Sequence, residues 1–422
     1  CRSPVARPAT TGRRRDPAFR FPRVTAAAIP SPSKSSNPAL LASLLLIGGA
    51  NSVLFSVVPP IGRHLGFVEW QIGLIVALSA VAFMISAAWW GRASDLRGRR
   101  FVVVAGMLGY GLGGIVFAAL LDFGLAGLLT PMLLLVLAIG ARIVQSALSG
   151  GVYPAAQAYI ADATPPEKRA VALSAVTAAF ALGTILGPAM AGLLVEISLT
   201  LPLYVIGLLG LAVAQWCLVS MSRRQLQVVR RAARLSPRDP RIAIWIAMAG
   251  VHFVSVAGTQ QVLGFVVQDR LALDATATAR VTSWIFMAGG LVAVLFQVLV
   301  VRRSKWSAGM LAILGLAASG IMQAGLLVAG DVWQFLAVAL PLGISFACTS
   351  TGFSAAASIA VGPDEQGAAA GLIAAAQAGG FLIGPLLFSV LYQLVPAAPF
   401  AMGFGIATLL LLLTLLRKSV DP

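Results

Sequence analysis

The chain has 422 residues, of which 59% are hydrophobic and only 10% charged, with a mean hydropathy of +0.92. A water-soluble core cannot hide that much apolar surface, so composition excludes an ordinary soluble domain and indicates an integral membrane protein. The net charge of +16 would imply a nucleic-acid partner in a soluble protein; in a membrane the placement of the cations matters more than their sum, and no nucleic acid is expected.

Residues 1–37 are rich in Arg and Ser, hold six prolines and carry one acid, Asp16. No helical apolar period runs through them, so they read as a disordered basic tail. An Arg-rich, acid-poor leader is also the composition of an organelle transit peptide, and Cys1 in place of Met leaves a fragment or a misplaced start open. The cysteines, Cys1, Cys217 and Cys348, form no disulfide framework or metal cluster, and neither a metal nor a cofactor is expected.

From Pro38 the apolar runs predict spans near 39–61, 70–90, 101–121, 129–161, 170–195, 202–220, 242–267, 278–301, 307–329, 332–361, 367–393 and 397–416. That is an all-α membrane protein of twelve helices. The nearly continuous run 123–161 would make one helix of about 58 Å at ~1.5 Å per residue, so Gly124, Gly127 and Pro131 are expected to turn the chain into a long fourth span. With twelve spans and both ends inside, 26 of the 30 Lys and Arg residues fall on the cytoplasmic side, as the loop bias of Lys and Arg requires. The longest inner loop, 221–241, joins spans 6 and 7. The expected domains are therefore the tail 1–37, a six-helix half 38–220, the linker 221–241, a second six-helix half 242–416 and a short cytoplasmic tail 417–422. The cell membrane is the expected location and the monomer the expected state.

Between spans 2 and 3, Gly91–Arg100 packs five charges into ten residues. Gly91 and Gly98 permit a sharp turn and close backbone approach, Asp95 suits the N-terminus of a neighbouring helix, and Arg97, Arg99 and Arg100 hold the loop at the cytoplasmic surface. The Gly-x-x-x-Asp-x-x-Gly-Arg-Arg spacing resembles the signature loop between helices 2 and 3 of the major facilitator superfamily of secondary transporters. Leu96 departs from it, where the family usually carries Lys or Arg.

Span 4 carries Arg142 and Gln145, then Ser149, Tyr153 and Asp162. An embedded arginine costs about 2.5–3.5 kcal/mol to insert, so it needs a partner, backbone carbonyls or an aqueous cavity. The Arg-x-x-Gln pair resembles the span 4 motif of proton-linked superfamily members, where the arginine is associated with proton transfer or substrate. By the same resemblance Asp162 pairs with Arg99, which implies a latch of Asp95, Arg99 and Asp162 holding the halves together on the cytoplasmic side when the cavity faces outward.

Span 5 reads Gly183-x-x-x-Gly187-Pro188-x-x-x-Gly192. Glycines four apart bring helices close, and this run resembles the glycine-proline motif of exporters, particularly drug:proton antiporters, with Ala191 in place of the first closing glycine. One constant shift superposes Pro166, Gly183, Gly187 and Pro188 on Pro363, Gly380, Gly384 and Pro385, and Glu167 on Asp364. Parallel six-helix repeats with a site between them are what the superfamily implies.

Span 1 offers only Asn51 as an interior polar group, and Glu69, Asp122, Glu196, Asp269, Asp274 and Asp331 fall near outer ends. No acid stands at mid-membrane. If protons drive transport, the carriers are Asp162, an outer-end acid such as Glu196, or His252 in span 7, whose ordinary pKa suits the task; a lone His in a span serves equally as a packing residue. Gln260, Gln261, Trp284, Gln297 and Gln377 are weaker cavity candidates. A cation without a matching acid favours neutral or anionic amphiphiles as substrates. No nucleophile motif, metal-ligand set or phosphate loop is present, so no enzyme is expected. The expected function is alternating-access transport of a small amphiphile, with efflux coupled to proton entry; a solute importer or symporter, and a transport-inactive scaffold or receptor, remain as alternatives.

Overall fold

The computed structural model describes residues 37–165, 168–222, 235–304, 306–362 and 364–418. The tail 1–36, most of the linker 221–241, and Pro166, Glu167 and Pro363 of the proposed repeat lie outside these residues.

Thirteen α-helices build the described part: α1 (Pro38–His64), α2 (Glu69–Arg97), α3 (Arg99–Leu125), α4 (Pro131–Ser149), α5 (Val152–Ala163), α6 (Arg169–Leu194), α7 (Leu201–Ser220), α8 (Ala243–Leu271), α9 (Ala275–Phe296), α10 (Ala308–Val328), α11 (Val332–Ile359), α12 (Gln366–Leu394) and α13 (Ala398–Lys418). A π-helical turn, Gln297–Val301, prolongs α9. Together they make twelve helices long and apolar enough to cross a membrane, α4 and α5 sharing the fourth. Each predicted span is present.

Local chemistry sets the boundaries. Asn37, the last residue assigned to the tail, caps α1: its side-chain oxygen accepts from the Ala39 N–H at 3.0 Å, and Pro38 fills the first helical position. Asp274 and Asp331 cap α9 and α11 in the same way, accepting from the Ala277 and Gln334 N–H groups at 2.7 and 2.9 Å. Gly127, at φ 71°, turns the chain before Pro131 as expected.

Two boundaries differ from the sequence reading. The fourth span breaks at Gly150 and Gly151, where a side chain would meet Phe83 and Ser86 of α2 or Trp90 of α2. The charged stretch 91–100 is also mostly helix. α2 continues to Arg97, past the apolar run, and Gly98 alone, at φ 94° and ψ 152°, makes the turn into α3.

Close packing follows the glycine motifs. A Cβ on Gly183 would lie 1.9 Å from the Leu45 carbonyl oxygen, and one on Gly187 2.3 Å from that of Gly49, so α6 lies backbone against backbone on α1. At the shifted positions, Gly380 and Gly384 press α12 onto α8: a Cβ on Gly380 would lie 2.5 Å from the Phe253 carbonyl carbon, and one on Gly384 2.4 Å from the Val254 carbonyl oxygen. Span 5 thus meets span 1 as span 11 meets span 7. Pro188 and Pro385 sit inside α6 and α12.

With an even number of spans, α1 begins and α13 ends on one face, the terminal face, opposite a distal face. The seam between α2 and α12 is tight in its distal half, where a Cβ on Gly73 would meet Ser389 Oγ at 2.7 Å and the Pro385 carbonyl at 2.8 Å. In its terminal half it is open: nothing lies within 4 Å of a Cβ built on Gly91, Gly367 or Gly371. α6 and α9 also meet, with Gly192 against Trp284 toward the distal end and Gly290 against Ile185 near mid-span. Among the described residues, the first six spans and the last six are joined at the distal ends and parted at the terminal ends.

Candidate functional site

Arg142 lies at the middle of α4, only 9% exposed. Its Nη1 donates to Gln145 Oε1 one turn on, Gln145 Nε2 donates to the Tyr110 carbonyl of α3 at 2.9 Å, and the guanidinium carbon sits 5.6 Å from the Phe117 ring centre. Arg142 Nε is buried without a protein partner. These groups line a cavity of about 20 Å³ with Ala50, Leu54, Gly114, Leu203 and Ile206, room for about one water. The arginine is therefore held by a side-chain amide, the Tyr110 hydroxyl and an aromatic face, inside the first six spans. It does not open onto a large aqueous cavity, because α1, α3 and α7 close around it.

The remaining polar residues of the fourth span do not join it. Ser149 Oγ donates to the Gln145 carbonyl at 2.9 Å, within its own helix. Tyr153 lies beyond the break, half-buried, with its ring 5.6 Å from Phe180 of α6. The Phe180 carbonyl abuts Gly48, one turn before Asn51. Asn51 is exposed in the middle of α1, the most buried of the twelve spans.

At the terminal face Arg99 is the hub. Its Nη1 donates to Asp95 Oδ1 at 2.6 Å and Ser94 Oγ at 2.9 Å, and its Nε reaches Asp162 Oδ2 at 3.4 Å. The expected Arg99–Asp162 pairing is present. All three residues belong to the first six spans, so the cluster does not bridge the halves in this state; the cross-half latch is expected only when the cavity faces outward. Asp95, 68% exposed on its side chain, takes its bond from Arg99 rather than from a neighbouring helix N-terminus. Arg100 donates to the Leu218 carbonyl of α7, and the Arg97 guanidinium stands 5.4 Å from the Phe101 ring. Gly91 is an open helical position, so close backbone approach is not its role here.

In the second six spans His252 is fully buried, its ring 5.8 and 5.9 Å from Phe253 and Phe353, with both nitrogens unpartnered. Gln260 is half-buried and Gln261 buried with Nε2 unpartnered. Neither they nor His252 line the Arg142 cavity. Gln297 accepts from Thr351 Oγ1 at 3.2 Å. Glu196, the outer-end candidate, pairs with Arg280.

Several site residues escaped the sequence reading. Gln323 of α10 donates to Ser255 and Thr259 of α8 at 3.0 and 2.8 Å. Phe55, Phe381, Phe253 and Phe346 form a ring-to-ring chain with centroids 6.1 to 6.3 Å apart, crossing from α1 to α12, α8 and α11. Arg63 of α1 gathers Glu69, Asp269 and Tyr392 at the distal face. Each outer-end charge was visible singly; the sequence carried no sign of which charges meet.

Outside the spans, Arg241 pairs with Asp239 at 2.8 Å and with Glu365, just before α12, at 2.9 Å. Hydrogen bonding to this guanidinium lowers both carboxyls from their ordinary values, and the two carboxylates raise Arg241 in turn.

Residues 40–257 match the Major Facilitator Superfamily model. The quinolone resistance protein NorA of Staphylococcus aureus is 23% identical over 386 residues, covering 89% of this chain and 95% of NorA. In fold, the chain is similar to a bacterial homologue of the human lysosomal transporter Spinster in an inward-facing, unoccupied conformation (TM-score 0.67, 14% identity, 92% and 96% coverage) and to the nucleoside transporter NupG (TM-score 0.66, 14% identity, 89% and 98% coverage). Both solved structures are of transporters or transporter homologues. The chain is a multi-pass integral membrane protein, a transporter belonging to the Major Facilitator Superfamily.

Proposed function

We propose that the protein exports small amphiphilic compounds in exchange for protons, working as a monomer by alternating access. The observation that carries this reading is the asymmetric seam, closed distally and open terminally around an interior cleft. Rocking the two six-helix halves would open the distal end and close the terminal one, so that a single site meets each side in turn. The Lys and Arg bias puts the terminal face and both termini in the cytoplasm, and the present state is the cytoplasm-facing one. Likeness to a quinolone resistance protein along most of the chain supports export.

Substrate would meet Asn51, Tyr153 and the Phe55–Phe381–Phe253–Phe346 aromatics in the cleft. Arg142 and Gln145 sit behind α1, where a shift of that helix would change the arginine's surroundings and couple cleft to charge. With a buried cation and no mid-membrane acid, neutral or anionic amphiphiles are the expected cargo. When the terminal seam closes, Asp95 on α2 is brought toward the start of α12, and the Arg99 cluster would then become the cross-half latch.

The test is efflux from bacteria expressing the chain, loaded with neutral, anionic and cationic fluorescent amphiphiles. Neutral or anionic compounds are expected to leave faster than from control cells, with the difference abolished by a protonophore. Export of cations alone would remove the substrate class, and efflux indifferent to the protonophore would remove proton coupling.

A further inference from the structure

Arg63 ends α1 at the distal face and touches both halves of the molecule. Across the gap it holds Asp269 of α8 with two bonds, Nη1 to Oδ1 at 2.5 Å and Nη2 to Oδ2 at 3.0 Å. Within its own half it holds Glu69 of α2, Nη2 and Nε both reaching Oε1, at 2.5 and 3.1 Å. The guanidinium carbon lies 4.7 Å from the Phe265 ring centre of α8. Asp269 in turn accepts from the Tyr392 hydroxyl of α12, in its own half, at 2.7 Å.

Arg63 and Glu69 are each less than one-fifth exposed, whereas Asp269 is 45% exposed. Paired, half-buried charges are costly to separate when one is left alone. Here neither is. If the halves part, Arg63 keeps Glu69 and Asp269 keeps Tyr392.

We infer that Arg63, Asp269, Glu69 and Tyr392 form a reversible fastener of the distal gate, with Glu69 and Tyr392 serving as the partners to which the two cross-half charges retreat on opening. The other cross-half ion pair among the described residues, Arg280 with Glu196, is of a different kind. Its side chains are 39% and 48% exposed, and such surface pairs contribute little. Arg63 therefore sets how readily the distal gate opens, and Glu69 works against the closed state by competing for the same guanidinium. This rests on the reading that the distal face is extracellular and that the halves rock; its test reads gate opening alone, so failure of the efflux or proton reading leaves it intact.

The reporter is Ser389→Cys, a one-atom change at a fully buried site packed against Gly73 in the distal seam, in a background with Cys1, Cys217 and Cys348 replaced. Purified, monodisperse protein in right-side-out vesicles is treated with a membrane-impermeant methanethiosulfonate. Asp269→Asn and Arg63→Gln are expected to speed labelling about tenfold or more, since a two-bonded charge pair is lost. Arg63→Lys, a point charge that cannot bridge two carboxylates as the fork does, is expected to fall between. Glu69→Gln is expected to label no faster than the parent, and Arg280→Gln the same as the parent. Unchanged labelling in Asp269→Asn, or acceleration by Glu69→Gln equal to that of Asp269→Asn, would overturn the inference; a merely structural cluster would loosen whichever member is removed.

Discussion

At the scale of single residues, Arg142 shows how an expensive group is made tolerable. Its charge is met by Gln145 on the same helix, whose amide is itself fixed by the Tyr110 carbonyl, and by the Tyr110 hydroxyl, so orientation is passed from α3 to the guanidinium. Gln145→Leu removes that acceptor and leaves the cation buried. The expected cost is on the order of 1.5–3 kcal/mol, the usual worth of a hydrogen bond to a charged group, read as a lowered unfolding temperature in detergent. Gln260→Leu, at a half-buried position, is expected to change it little. The Arg142–Gln145 pair was legible because a charge inside an apolar run demands a partner and helical spacing supplies one. Tyr110 was not, since it lies on another helix, where both its carbonyl, through Gln145, and its hydroxyl meet the group. Tyr153 stands apart from that pair, because the break at Gly150 and Gly151 interrupts the helical spacing that would align it.

At the scale of elements, the glycine motifs separate contacts that cannot yield from space that is free. Gly183→Val and Gly187→Val would drive side chains into the backbone of α1. Overpacking of side chains alone typically costs about 1–3 kcal/mol, and backbone gives way less easily, so both variants are expected to lose most of their folded, monodisperse yield. Gly91→Ala is expected to leave yield and unfolding temperature unchanged, since nothing stands near its Cβ in this state, yet to slow transport if the terminal seam must close upon it. Equal yields across the three variants would contradict the packing account.

The Arg241 tether belongs to the same scale. Asp239 and Glu365 have lowered pKa values in the folded chain, held there first by hydrogen bonds to Arg241. Their contribution is complete above the ordinary carboxylate value of about 4 and is lost only as pH falls through the lowered ones. Hydrogen exchange of residues 236–243 is therefore expected to show the same protection, once corrected for intrinsic rate, between about pH 6 and pH 8; loosening within that window would show that another group holds the linker end.

The twelve helices were legible because each apolar run is long enough to span and the loops between runs carry the charges. The end of α2 was not: charges that look like a loop are merely helix leaving the apolar layer, and only Gly98, with its positive φ, marks the turn.

At the scale of the whole molecule, the internal repeat predicted from two glycine-proline runs corresponds to two equivalent packings, α6 on α1 and α12 on α8. Which end of the seam is closed was invisible in the sequence, because it depends on residues far apart in the chain, such as Arg63 and Asp269, rather than on any local pattern. Rigid rocking carries a reciprocal expectation. Spin labels at Arg97 and Gly367, on the terminal ends of α2 and α12, should move closer under conditions that open the distal gate, while labels at the distal ends move apart. Movement of one pair without the other would replace rocking by local gating.

The central claim is that outward movement of substrate is exchanged for protons through a mechanism requiring Arg142. It is tested most directly in energised everted membrane vesicles, following the lumenal proton gradient with a fluorescent dye as neutral, anionic and cationic amphiphiles are added to wild type and Arg142→Ala. The account predicts prompt proton release from the acidified lumen on adding a neutral or anionic compound to wild type, and none in the variant at equal membrane content. A gradient that stays unchanged with every compound in wild type, or proton release that persists undiminished in Arg142→Ala, would contradict it.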